Sequence, residues 1–186
     1  MRPLERNCLL LAVLFGLALW VGVYVMGSDL LVGDGEEYHL IADNLVKNGH
    51  YFTPMERSPW EASSARPAGY PTWLALIYAL VGVHPRAATF LQVFLWGILV
   101  AVLCRIAWRL FGDRAALFAG LVSACWLTGL LVSNTLHPDP VFGLLLLLGL
   151  WLLVRTPDAV LKPTLGAFAL WGLATWFKPQ GQVFPL

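Results

Sequence analysis

The chain has 186 residues, of which 59% are hydrophobic and 12% charged, with nine Trp; an ordinary soluble domain is about 45–50% apolar and about 25% charged. So few charges cannot cover a water-facing surface, and twelve basic against eleven acidic residues leave a net charge of +1, which sets up no field for a polyanion. A soluble globular domain, a disordered tail and a nucleic-acid binder are excluded, whereas five to six membrane spans with one sizeable loop fit the length.

Arg2 and Arg6 precede an apolar run from Cys8 to Met26. The run is close to the ~20 residues that cross a bilayer core. It is longer than a signal-peptide core, and Gly27-Ser28-Asp29 is a poor cleavage site. A first, uncleaved span over residues 8–26 is expected, with the N-terminus in the cytosol. Residues 27–86 form a polar loop with seven acids and four bases, placed on the extracytoplasmic side. Within it, Tyr38, Ile41, Ala42 and Leu45 recur at helical spacing over about Glu36–Lys47, with Gly49 as a stop. This stripe predicts an amphipathic helix lying on the membrane.

Pro71 to Val83 is apolar but too short for an ordinary span. If it crossed, Arg105, Arg109 and Arg114 at the end of the next run would face outward, against the positive-inside tendency. It is therefore expected to be an interfacial helix, with Trp73 and Tyr78 at headgroup depth. Further spans are predicted over 87–110, 115–135, 140–154 and 164–177. Gly112-Asp113-Arg114 is the cytosolic turn, and Pro157 and Pro163 break the chain between the last two spans. The fold class is thus all-α and polytopic, one transmembrane unit of about five spans. Cys8, Cys104 and Cys125 are odd in number and lie in apolar runs, so they are read as buried small hydrophobes.

Alternation brings Asp34, Glu36, Glu37, His137, Asp139 and Lys178 to the outer face. Asp34 between two glycines sits in a turn open to close ligand approach. It and Glu36 either cap the following helix or carry chemistry. A carboxylate beside apolar surface is a suitable general base for an acceptor hydroxyl or amine. Glu36 and Glu37 are alternatively ligands for a divalent cation or a sugar. Asp139 opens a span between two prolines, either as a solvated cap or as a second converging carboxylate. Lys178 either snorkels to headgroups or meets a lipid-linked phosphate, and Arg66 carries the same two readings. His137 is a weak metal-ligand candidate. His50 and His84 are loop residues, and Trp60 is a candidate sugar-stacking side chain.

In order along the chain stand Gly33-Asp34-Gly35-Glu36-Glu37-Tyr38-His39, Gly49-His50-Tyr51, Arg66-Pro67-Ala68-Gly69-Tyr70-Pro71, Arg109-Leu110-Phe111-Gly112-Asp113-Arg114, Asp139-Pro140 and Lys178-Pro179. The ordered set resembles the integral-membrane glycosyltransferases of the GT-C superfamily. It is most similar to the bacterial relatives of the dolichyl-phosphate-mannose protein mannosyltransferases and the lipid A aminoarabinose transferase. The resemblance implies a polyprenyl-phosphate-sugar donor, an acceptor lipid, glycan or protein, and transfer on the extracytoplasmic face of a bacterial inner membrane. It implies Asp34 as catalytic base, and Glu36, Glu37, Tyr38, Arg66, Asp139 and Lys178 around the substrate, Lys178 toward the donor phosphate. A divalent cation at Glu36 and Asp139 is a further expectation.

Two departures stand out. Ala68 occupies a position where relatives often have a second proline, and Gly35 separates Asp34 from Glu36, leaving the choice of base between them open. Such enzymes normally have many more spans, so the chain is expected to be an N-terminal portion. Rival readings are a transporter or flippase, disfavoured by the scarcity of ionisable residues inside the spans, and a non-catalytic membrane fragment.

Overall fold

The computed structural model describes residues 2–25, 33–51, 66–155 and 161–178. Among these every regular element is a helix: α1 (Pro3–Val25), α2 (Asp34–Asn48), α3 (Gly69–Val81), α4 (Pro85–Phe111), α5 (Asp113–Ala124), α6 (Leu127–Ser133), α7 (Asp139–Arg155) and α8 (Leu161–Phe177). The all-α membrane architecture stands. Trp60 and the stretches 26–32, 156–160 and 179–186 lie outside the described residues, and with them Pro157 and Pro179.

Two helices, α1 and α4, are each long and apolar enough to cross a membrane by themselves. They are antiparallel neighbours. Trp20 donates to Thr89 Oγ1 at 3.1 Å near one end, Gly16 lies against Val93 and Gly97 against Val13 midway, and Glu5 meets Arg105 at 3.7 Å near the other end. Small residues let such backbones approach where no hydrophobic force drives helices together in lipid.

The stretch expected as a span over 115–135 is not one straight helix. The chain breaks at Cys125 and Trp126, so α5 and α6 form one path bent by 55°. Cys125 at the break is exposed, unlike Cys8 and Cys104, which are buried. α7 runs parallel to α4, with Gly143 against Leu99 and Trp151 under Arg105, and α8 turns back along it, with Trp171 Nε1 donating to Leu146 O. Chain directions thus alternate through α1, α4, α5–α6, α7 and α8. Each of α7 and α8 has 17 residues, a rise of about 26 Å beside a hydrocarbon core of ~30 Å. Pro163, expected as a breaker, sits in the first turn of α8, where a missing N–H costs nothing.

The two short helices α2 and α3 pack on each other rather than lying separately on lipid. α3 spans 13 residues, about 20 Å, too little to cross. The stripe expected to face the membrane faces protein: Tyr38, Ile41 and Ala42 are buried, and Tyr38 and Ala42 join Tyr70, Leu74, Tyr78, Leu136 and Phe177 in one core. Tyr78, placed at headgroup depth by its chemistry, is likewise buried. This core ties α2 and α3 to the start of α7 and the end of α8.

Candidate active site

α2 begins at Asp34, two residues earlier than the periodicity suggests. Gly33 is the N-cap, with a positive φ of 58° and no side-chain cap bond. Asp34 therefore does not cap the helix, and its carboxylate is engaged elsewhere. Asp34, Glu36 and Glu37 all sit in the first turn, where the helix dipole favours negative charge. One turn sets Asp34 and Glu37 on the same face, while Glu36 is exposed to one side.

Arg66 closes on that face. Its Nη2 reaches Asp34 Oδ1 at 2.7 Å and its Nε reaches Glu37 Oε2 at 2.6 Å. The planar guanidinium serves two carboxylates in a fixed fork geometry that a lysine ammonium cannot reproduce. The Glu37 bond holds Arg66 above its already high ionisation range, against the opposing pull of burial. Tyr51 fixes the arm by donating to the Arg66 carbonyl at 3.1 Å. Tyr38 lies beneath, its ring centroid 5.6 Å from the guanidinium carbon. Burial raises the Tyr38 phenol, countered by Arg66 and reinforced by Asp34 and Asp139, so it remains a neutral hydroxyl.

The second arm comes from α7 and α8. Asp139 opens α7, and Lys178, just past the end of α8, donates to its Oδ1 at 2.6 Å. Gly69 makes this placement possible. A Cβ there would stand 2.6 Å from the Trp176 carbonyl oxygen and 2.9 Å from Phe177 N, so only glycine lets the end of α8 rest on the start of α3. His137 precedes Asp139 and contacts Thr135 Oγ1 through Nδ1 at 3.0 Å. Burial lowers its basicity, while Asp139 and Asp34 oppose and Lys178 adds to the effect. The charges of both arms are thus felt at one imidazole and, apart from Lys178, at one phenol.

Of the residues singled out in the sequence, Asp34, Glu37, Tyr38, Arg66, His137, Asp139 and Lys178 come together at one end of the bundle, and Glu36 remains at its rim. Arg66 and Lys178, read as interface cations or as partners for a lipid-linked phosphate, are each paired with an acid. His50 follows the end of α2 and His84 precedes α4, both outside the cluster. No group of three or more His, Cys, Asp or Glu side chains among the described residues is arranged to hold a metal ion. Asp34, Glu37 and Asp139 are already neutralised by cations. Among the described residues, these side chains do not by themselves build a metal centre.

A largely apolar cavity of about 470 Å³ opens beside this cluster, lined by Trp96, Leu99, Trp126, Phe142 and Leu147 among others, with Asp139 at its polar edge. The bend between α5 and α6 shapes one wall.

The profile of the dolichyl-phosphate-mannose-protein mannosyltransferase family matches residues 65–186. The chain belongs to that family. It is accordingly a membrane glycosyltransferase of the GT-C type. No curated protein and no solved structure gave a match. The matched stretch carries Arg66, Asp139 and Lys178, whereas Asp34, Glu36, Glu37 and Tyr38 precede it. Asp34 and Glu37 of α2 are joined to the matched stretch through their shared Arg66. One residue outside the sequence candidates is Gln92, fully buried and hydrogen-bonded to Tyr70 of the Arg66–Pro71 motif. The signal was a lone amide inside an otherwise apolar run.

Proposed function

We propose that this protein transfers a sugar from a polyprenyl-phosphate donor to an acceptor lipid, glycan or protein at the extracytoplasmic face of a bacterial inner membrane. In this reading the N-terminus is cytosolic. Asp34 takes the proton from the acceptor hydroxyl or amine. The acceptor atom bonds to the anomeric carbon with inversion, and the bond from that carbon to the phosphate oxygen breaks. Polyprenyl phosphate carries the electron pair away. It is a good leaving group without protonation, so the protein's task is positioning and charge stabilisation.

The observation that carries the reading is the meeting of Asp34 with Arg66 and of Asp139 with Lys178 at one end of the bundle. It sets two acids and two cations around one space. The donor phosphate draws Arg66 and Lys178 off their carboxylates, which frees Asp34 to act as base only when donor is bound. The apolar cavity beside Asp139 suits the first units of a prenyl chain. Tyr38 supplies a neutral hydroxyl, and Glu37 holds Arg66 in reach. Glu36 at the rim faces the acceptor side.

No step of this scheme runs through a metal. The expectation of a cation at Glu36 and Asp139 is tested by chelation: loss of transfer with EDTA and its return with Mg²⁺ would establish one. The central experiment is Asp34→Asn, assayed for transfer from a polyprenyl-phosphate sugar in membranes. Transfer is expected to vanish while the protein level is unchanged; undiminished transfer would remove Asp34 from the role of base.

A further inference from the structure

Gln92 is the eighth residue of α4, about 10 Å below the start of that helix. It is fully buried. An amide at that depth is costly unless bonded, and leucine would satisfy packing alone. Gln92 spends three of its four hydrogen-bonding positions. Its Oε1 accepts from the Tyr70 hydroxyl. Its Nε2 donates to the Thr135 carbonyl at 2.8 Å and the Ser133 carbonyl at 3.3 Å.

The partners are not arbitrary. Tyr70 lies four residues after Arg66, on the segment that brings that guanidinium to Asp34 and Glu37. Its ring packs edge-on against Tyr38 at 5.0 Å. Thr135 lies four residues before Asp139, and its hydroxyl contacts His137. Asn134 beside it is tied to the Gly16 carbonyl of α1 at 3.3 Å. One amide in a span therefore joins the two chain stretches that carry the two arms of the site.

We propose that Gln92 is a positioning residue, which sets the Arg66 arm and the His137–Asp139 arm at the separation the transfer requires. This deepens the reading of the site as a glycosyltransferase centre and rests on it. Misregistry of two rigid arms harms the transition state more than initial binding, because each arm keeps its own contacts.

The test compares Gln92→Leu with Gln92→Glu in the full chain. Spin labels at Val46 and Leu131, both exposed and outside the site, report the separation of the two arms. Undecaprenyl-phosphate mannose in membranes serves as the transfer probe. Gln92→Leu is expected to insert normally, to broaden the label distance distribution, and to lower kcat at least tenfold with donor KM changed less than threefold. Gln92→Glu, as a protonated acid, still accepts from Tyr70 and donates to Thr135. It should approach wild-type distances and turnover at low pH and lose both as pH rises and the buried carboxyl ionises.

An unchanged distance distribution in Gln92→Leu overturns the proposal. So does a broadened one with full turnover, and so does a Gln92→Glu variant with no pH-dependent recovery of distance. The distance measurement holds whatever sugar the enzyme uses. Asp34→Asn in the same membranes keeps the two questions apart: its retained transfer would unseat the base and leave the Gln92 result standing.

Discussion

Gly69→Ala is the most incisive perturbation of the site from outside it. The added methyl carbon would lie 2.6 Å from the Trp176 oxygen, 2.7 Å from its carbonyl carbon and 2.9 Å from Phe177 N. Ordinary contact begins near 3.4 Å, so α3 and the end of α8 must separate by about 0.8 Å. The obstacle is backbone and has no rotamer to swing away. Overpacking of this kind costs about 1–3 kcal/mol, which a membrane bundle of this size survives. The end of α8 carries Lys178, whose contact with Asp139 is 2.6 Å. A displacement near 1 Å at a catalytic constellation costs on the order of 10²-fold in rate. The expected result is therefore normal membrane insertion with transfer reduced about 10²-fold, read as initial rate from a polyprenyl-phosphate sugar. Gly172→Ala is the matched control, because a Cβ there meets nothing within 4 Å. Equal, full rates for both variants would refute the claim that the α3–α8 contact positions Lys178.

Arg66→Lys keeps the charge but loses the planar fork that meets Asp34 and Glu37 in a fixed geometry. Transfer should fall by about 10²-fold while stability drops by no more than ~1 kcal/mol, since Asp34 is half-exposed; wild-type turnover would show that the fork geometry is irrelevant. Burial lowers the basicity of His39 and His137, so the unfolded chain binds more protons than the folded one below the ordinary value of 6.5. Stability is then fully present above that pH and is lost as pH falls from about 7 toward 5. Thermal unfolding in detergent should follow this trend, and the double variant His39→Asn, His137→Asn should flatten it. For topology, a cysteine at Asn48 should react with an impermeant thiol reagent in intact cells, and one at Arg114 only after permeabilisation. The reverse pattern would invert the assignment of the faces.

The sequence determined by itself that the chain lives in a membrane, where its helices lie, and which end gathers the acids. These follow from quantities summed along a single segment: its hydropathy against the thickness of hydrocarbon, and the bias of arginines to one side. The α2 stop at Gly49 was equally local, because its left-handed φ of 70° is a conformation glycine adopts freely. Local reasoning failed where two segments meet. The stripe of Tyr38, Ile41 and Ala42 looked fit for lipid, and an apolar stripe does not say whether lipid or another helix will cover it; here α3 does. The continuous run over 115–135 hid a 55° bend, since lipid accepts a straight span and a broken one of the same composition alike. The carboxylate partners of Arg66 and Lys178, each on another element, had no signature in the sequence. Gln92 was passed over because its importance lies wholly in its partners, 22 and 43 residues away. Only the tertiary structure decided those pairings, because helix rotation and close backbone approach, as at Gly69, are set by shape complementarity between segments and leave no periodic trace within either one.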